Sequence, residues 1–408
     1  MMAQLPLEVG EILRQYGPAF LEAYGDSISF EQRQVIEDLA ACRTPARGGH
    51  LYECDACGHP LVLYNSCLNR HCPLCQAGDA ADWLDSRLEE VLPVAYFHIV
   101  FTLPGLLAPL ALQNKAVVYD ILLRAASQTL LQIGADPKHL GAKIGFLAIL
   151  HTWGQSLLHH PHVHCVVTGG GLSPDRSRWL STRPGYFAPV KVLSRLFRGK
   201  LLAFLEEAFD NGELAFHGSI AHLANVKLFR KLINSIRRKE LVVHAKEPHG
   251  SPQQVLKYLA RYTHRVAISN SRLISIDDGQ VTFRWKDYEH GGRWGTTKLD
   301  ATEFIRRFLL HVLPKGFVRI RSYGLLANRY KAANLEVCRQ LLGATTAVAD
   351  SSAEGGEETE DPGSDDTGRN SARLCPECKQ GRMVRVRKVA PAAWPRVPVG
   401  ASRRANST

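Results

Sequence analysis

His160-Pro161-His162-Val163-His164-Cys165-Val166-Val167 runs directly into Thr168 and the triplet Gly169-Gly170-Gly171. On a β-strand, side chains two apart leave the same face. His162 and His164 then project together, while Val163, Cys165 and Val167 turn to the other side. This puts two imidazoles on a rigid element with an apolar back, and the pattern decides between a strand that carries a metal and one that only packs. Upstream, Gly145 to Thr152 is apolar and reads as a central strand. Trp153 to Pro161 is then the connection, and His162 to Thr168 the returning antiparallel strand. Gly169 to Gly171 are expected to permit another tight turn. Two neutral imidazoles leave coordination positions open for substrate oxygens and water, and a third protein ligand is usual. The antiparallel neighbour supplies it best from His151. Gln155 is the second candidate, and His159 and His160 come after it. Bound to phosphate oxygens, Mg2+ or Mn2+ would act there as a Lewis acid.

Further out, Val91 to Leu112 is the most apolar stretch of the chain. Pro93, His98, Pro104 and Pro109 interrupt it, so it reads as a buried strand (Ala95 to Leu103), a turn and a helix, not as a membrane span. Helices are expected over Asn114 to Ile133, Lys191 to Phe209, Leu223 to Leu241 and Thr302 to Val312. Arg272 to Ile276 and Gln280 to Trp285 flank Asp277-Asp278-Gly279, a hairpin signature. The whole is an α+β domain over residues 93–345. Within it lies Tyr258-Leu259-Ala260-Arg261-Tyr262, preceded by Ser251 as N-cap and Pro252 at the first helical position. On a helix Tyr258 and Tyr262 share one face. As an isolated pair they would read as core aromatics. Beside a two-histidine strand they read as nucleophiles, able to attack phosphorus once a cation or base favours the phenolate. Two of them allow two consecutive transfers. Trp153, Tyr288 and Trp294 are aromatics on which unpaired bases could stack, although core packing is the commoner role.

Residues 1–92 form the N-terminal part. Two apolar stripes, one with Leu5, Val9, Ile12 and Leu13 and one with Val35, Ile36 and Leu39, predict helices up to about residue 41. Asp79 to Leu92 again reads as helix. Between them, Cys54-x2-Cys57 and Cys72-x2-Cys75 are two tight knuckles, and together they complete a closed tetrahedral zinc site. Cys42, His50, Cys67 and His71 stand around them, either as a second site or as packing and surface residues. A closed four-cysteine site does no chemistry, so zinc here would hold up a surface that contacts DNA, with Arg43, Arg47, Asn69 and Arg70 beside it.

The chain carries a formal charge of +11. Eight acidic residues and no Lys or Arg fall between Asp350 and Asp366, so the remainder is more basic still. That balance favours a polyanionic partner, nucleic acid first. Lys227, Arg230, Lys231, Arg237, Arg238 and Lys239 suit phosphate contact or a solvated helix face equally. Residues 346–370 read as a disordered acidic linker. A basic tail, 371–408, holds Cys375-Pro376-Glu377-Cys378 with no cysteine after it. Its partners must come from elsewhere, or it is a metal-free remnant. No signal peptide opens the chain, so cytoplasmic thiolates are expected rather than disulfides.

These motifs together resemble the two-tyrosine rolling-circle transposases of bacterial insertion sequences, members of the HUH endonuclease superfamily. The resemblance rests on His50 through Cys75, with Asn65-Ser66-Cys67 and Arg70-His71-Cys72-Pro73-Leu74-Cys75. It continues through His151-Thr152-Trp153-Gly154, His160 to His164, Tyr258 to Arg265, and His311-Val312-Leu313-Pro314-Lys315-Gly316-Phe317. It covers roughly residues 30 to 340 and leaves out the acidic stretch and the tail. It implies a central antiparallel sheet bearing the histidines, and single-stranded DNA cut and rejoined at transposon ends and in target DNA through a 5'-phosphotyrosine. A plasmid relaxase or replication initiator shares that chemistry, but no GxxxxGK[ST] helicase motif supports it. A metal-dependent hydrolase would leave the tyrosines unexplained. A non-catalytic zinc DNA-binding protein would ignore His162, His164 and both tyrosines. Oligomeric state is not legible.

Overall fold

The computed structural model describes residues 7–76, 90–246, 266–287, 292–343 and 374–392. Helix α1, Val9–Tyr24, places Val9, Ile12, Leu13 and Phe20 in one buried stripe against Val35, Ile36 and Leu39 of α2, Phe30–Ala41. The crossing is close, since a Cβ on Gly10 would lie 2.8 Å from the Leu39 carbonyl oxygen. Ser29 caps α2, with Gln32 completing a capping box. Strands β1, Gly49–Cys54, and β2, Pro60–Tyr64, follow as an antiparallel hairpin.

The central sheet comes next. Its strands are β3 (Tyr96–Thr102), β4 (Lys143–Trp153), β5 (His159–Leu172), β6 (Trp179–Ser181) and β7 (Val243–Lys246). Helices α3 (Ala108–Gln113), α4 (Lys115–Ala135), α5 (Val190–Asp210) and α6 (Val226–Arg237) are threaded between them. The hairpin β8 (Leu273–Asp277) and β9 (Gln280–Asp287) turns at Asp278 and Gly279, both with positive φ, as the Asp-Asp-Gly signature requires. β10 (Arg293–Asp300) adds to β9 and leads into α7 (Ala301–Leu310). β11 (Ile320–Gly324), α8 (Lys331–Leu341) and β12 (Met383–Val389) complete the described chain.

The central sheet runs β11-β4-β5-β3-β7, every pairing antiparallel, with β6 added to β5. The α+β class holds. One face of this sheet presents Phe97, Ile99, Phe101, Phe146, Ala148, Leu150, Val163, Cys165 and Val167 to α4, α5 and α6, forming the main core. The opposite face carries the histidines. A second core joins α1 and α2 to Val281, Phe283, Phe304, Ile305, Phe308 and Leu309, so apolar side chains from both sides of position 92 pack together. Lys115, half-buried at the start of α4, reaches the end of α7, and its ammonium donates to the carbonyls of Leu310 and Val312 at 2.8 Å each. Burial pushes its pKa down to about 8.

Gly169 to Gly171 make no turn. They lie inside β5, which runs on to Leu172. A Cβ would come within 2.6 Å of the Ala95 carbonyl at Gly169, 2.5 Å of Trp179 Nε1 at Gly170, and 2.4 Å of the Lys143 carbonyl at Gly171. The glycines allow neighbouring chain to approach the strand closely. The acidic stretch, residues 346–370, and most of the expected helix at Asp79 to Leu92 lie outside the described residues. The C-terminal tail does not stand apart, because β12 pairs antiparallel with β1 along its whole length.

Candidate functional site

A short turn over residues 154–158 joins β4 to β5 and sets the register that places His151 opposite His162. His164 lies between Ile149 of β4 and Val100 of β3. The period of two puts His162 and His164 on one face, and cross-strand pairing brings His151 to them. Each offers a ring nitrogen, and the three ligand atoms lie within 4.8 Å of one another. The ring centroids are 4.5 Å apart for His151 and His164, and 4.7 Å for His162 and His164. A register shift between His151 and Trp153 marks a bulge beside the cluster, a common means of re-aiming side chains near a site. Trp153 is buried and stacks on His151 with centroids 4.6 Å apart.

Nδ1 of His162 donates to the His160 carbonyl at 2.6 Å, which directs Nε2 to any ligand. Nδ1 of His164 meets Nε2 of His98 at 2.8 Å, the two rings lying nearly parallel. His98 is the residue at this site that the sequence did not yield. Burial pushes its pKa down to about 4, and the charges of Lys246 and His244 add to the effect. A neutral imidazole behind a ligand imidazole fixes that ligand's tautomer and orientation. The signal was present: His98, Val100 and Thr102 alternate on β3, and one polar ring in an apolar strand calls for a partner.

The remaining candidates go elsewhere. His159 lies on the helix side of β5, where Nε2 bonds the Tyr119 hydroxyl at 2.8 Å. The carbonyl of Gln155 accepts from Arg272, which holds the turn. His160 stays beside His162 but outside the group of three. His311 is a packed core residue. Its Nδ1 lies 3.2 Å from the Thr152 hydroxyl and its Nε2 3.1 Å from the Leu157 carbonyl, and burial holds its pKa down to about 3. Trp294 is 63% exposed on β10, a ring open to stacking. On α6, Phe229, Ile233 and Ile236 are buried, and Arg237 is engaged with Glu206 at 2.9 Å. Tyr258, Tyr262 and Tyr288 lie outside the described residues.

The cysteines regroup. Cys54 and Cys57 were expected to share one ion with Cys72 and Cys75, but the structure assembles two separate sets. Cys72 and Cys75 join Cys42 and Cys67, while Cys54 and Cys57 join Cys375 and Cys378. The reason is the hairpin. Cys42 precedes β1 and Cys67 follows β2, so both sit at its base, whereas Cys54 and Cys57 sit at its tip. Six extended residues at about 3.3 Å each hold the two ends roughly 17 Å apart. Nor do His50 and His71 join Cys42 and Cys67. His50 stands in β1 opposite Lys388, and His71 Nε2 accepts from the Leu313 amide at 3.5 Å. In the basal set, Sγ–Sγ separations are 3.6 Å for Cys42–Cys72 and Cys67–Cys75, and 3.7 Å for Cys42–Cys75. Hydrogen bonds from Cys42, Cys67 and Cys72 hold the Cys75 thiol well below its usual range, while the neighbours of Cys72, Cys42 first, push that thiol up. Four thiols crowded together form a donor set that a divalent cation completes.

The description "Transposase zinc-binding domain" matches residues 12–103, and "Putative transposase" matches residues 145–334. "Putative transposase y4qJ" of Sinorhizobium fredii is 53% identical over 385 residues, which is 94% of this chain and 96% of that protein. This chain belongs to the IS91/IS801-type transposases. "Transposase for insertion sequence element IS801" of Pseudomonas savastanoi pv. phaseolicola is 29% identical over 312 residues, covering 76% of this chain and 72% of its own. No solved structure matches the chain. The match is to the rolling-circle HUH family of transposases with an N-terminal zinc domain. Membership makes DNA the partner and DNA cleavage the general activity. The zinc-binding description supports structural zinc in the N-terminal cysteine cluster. No helix among the described residues is long and apolar enough to cross a membrane.

Proposed function

We propose that this transposase cuts and rejoins single-stranded DNA at the ends of its insertion sequence through a 5'-phosphotyrosine intermediate. The observation that carries this is the convergence of His151, His162 and His164 from two paired strands of an antiparallel sheet, within a chain of a transposase family. The donor set fits a divalent ion. It is all imidazole, it is oriented from behind by His98 and the His160 carbonyl, and three ligands leave positions open. Mg2+ or Mn2+ held there would polarise the scissile phosphodiester as a Lewis acid.

The chain's own residues do the rest. Tyr258 or Tyr262 attacks phosphorus through its phenol oxygen. The bond from phosphorus to the 3' oxygen breaks, the phenol gives up its proton, and the departing oxygen takes one to become a 3'-hydroxyl. The 5' end is then held on tyrosine, and a free 3'-hydroxyl can later attack it and restore the phenol. A second tyrosine lets one side chain hold the first end while the other opens the next site. Lys246 ends β7, which borders the His98 strand, and it precedes the tyrosine stretch in the chain. Its charge suits a site that receives a phosphodiester. Tyrosine must approach phosphorus in line, which a splayed single strand permits and a stacked duplex resists. Trp294 offers such a strand a stacking surface. The reaction belongs to the bacterial cytoplasm, where element DNA and reduced thiols coexist.

Labelled single-stranded DNA from the element ends, incubated with protein and Mg2+ or Mn2+, should yield a covalent adduct on a denaturing gel. The adduct should vanish in Tyr258→Phe/Tyr262→Phe and in His162→Ala. A folded, zinc-loaded protein that forms no adduct on any end sequence or with either metal would refute the assignment.

A further inference from the structure

The set at the tip of the β1–β2 hairpin joins residues from nearly opposite ends of the chain. Cys54 and Cys57 lie in the N-terminal module, and Cys375 and Cys378 in the tail. The four Sγ atoms fall within 4.8 Å of one another. Cys54–Cys378 and Cys57–Cys375 are each 3.7 Å apart. Four sulfurs at about 2.3 Å from a tetrahedral zinc stand about 3.8 Å from each other, whereas bonded sulfurs stand about 2.05 Å apart. The spacing is that of ligands around an ion.

The two segments are built alike. In the first, the Gly58 amide donates to the Cys54 carbonyl at 3.0 Å, and Gly58 takes φ +71°. In the second, the Lys379 amide donates to the Cys375 carbonyl at 2.9 Å, and Lys379 takes φ +55°. A positive φ is unusual for lysine, so the second turn holds this conformation without a glycine. Amides also point at sulfur in both, Cys57 to Cys54 Sγ at 3.5 Å and Gly381 to Cys378 Sγ at 3.4 Å. The turns are tied directly, since the Arg382 amide donates to Asp55 Oδ1 at 2.7 Å and the Asp55 amide to the Arg382 carbonyl at 3.0 Å. At Gly381 a Cβ would come within 2.4 Å of Cys54 Sγ, so the residue closing the second turn fits only as glycine.

We infer that Cys54, Cys57, Cys375 and Cys378 bind a second structural zinc ion that clasps the tail to the N-terminal module. The site is distinct from the Cys42, Cys67, Cys72 and Cys75 cluster, and it lies partly beyond residues 12–103, to which the zinc-binding description applies. It makes β12 and its basic side chains, Arg385, Arg387 and Lys388, part of that module. The inference does not depend on the phosphotyrosine chemistry.

Zinc per chain, measured by elemental analysis and native mass spectrometry of the full-length protein, tests it. The unsubstituted protein should hold two ions; one ion or fewer would overturn the inference. Cys54→Ser/Cys57→Ser and Cys375→Ser/Cys378→Ser should each hold one, and the retained ion shows that the basal cluster still folds. The variant with all four changes should also hold one, because both pairs serve one site. Two ions in either double variant, or none in the fourfold variant alongside one in each double, would mean that the pairs do not share an ion. Trypsin should cut β12 faster in Cys54→Ser/Cys57→Ser than in the unsubstituted protein, although those changes lie far from the tail in sequence. Equal cutting rates would contradict a clasp.

Discussion

The histidine face and the cysteine clusters differ in how they are assembled, although each gathers side chains of metal-ligating type. His151, His162 and His164 come from two strands joined by a short turn, and the pleat alone determines that they meet. The cysteines come from a helix end, two loops and a tail, and no local periodicity relates them. The first arrangement offers three imidazoles, which leave coordination positions open. The second closes each ion off with four sulfurs and serves only to hold structure. Ligands on regular elements can be read from spacing; ligands on loops are settled only by the path of the chain.

The sharpest way to separate the two is to remove one ligand. Cys42 is buried with Cys72 and Cys75 against the core formed by α1, α2 and α7. In Cys42→Ser, zinc should fall by one ion per chain, and stability should drop by about 3 kcal/mol or more because binding energy here is folding energy. A thermal melt should move down by roughly 10 °C. A melt left unchanged would mean that the basal cluster is ornamental to the fold.

A smaller effect belongs to the other region. His98→Ala removes the ring behind His164 and should weaken Mn2+ binding about 10- to 100-fold by titration calorimetry. The zinc count should stay as it was. Unaltered Mn2+ affinity would show that His164 is oriented without its neighbour.

The smallest test concerns the histidine that packs between the two bodies. His311 is held neutral by burial, with its pKa down to about 3, whereas an unfolded histidine titrates near 6.5. Below about pH 6.5 the unfolded chain binds a proton that the folded chain refuses, so stability falls as pH drops from there toward 3. The share of His311 is at most about 1.4 kcal/mol per pH unit. His311→Gln should therefore flatten the dependence of the melting temperature on pH between 7 and 5. An unchanged slope would assign the dependence to other groups.

Much of the central sheet was legible. The strands around Ile99, Leu150 and His164 announce themselves as apolar runs, and the His151–His162 contact follows from an antiparallel return. His98 was missed because a single ring in an apolar strand calls for a partner without naming it, and only the pairing of β3 with β5 brings it to His164. The glycines after Thr168 misled because glycine permits both a turn and a close approach, and only the neighbours Ala95, Lys143 and Trp179 decide between them. The cysteine spacing correctly marked two knuckles but not their partners. Pairing Cys54 with Cys375 depends on a tail that returns across more than three hundred positions, and no local pattern encodes that.

β1 is flanked on both sides, by β2 made directly after it and by β12 made more than three hundred residues later. During synthesis, then, the hairpin leaves the ribosome with one edge bare, and that edge is covered only after Val389 has been added. A nonsense or frameshift mutation anywhere upstream of Met383 would leave the same bare edge in the released protein. Damage more than three hundred codons downstream is thus registered in the N-terminal module, and a decaying copy of the element would lose that module's third strand through changes far from its own codons.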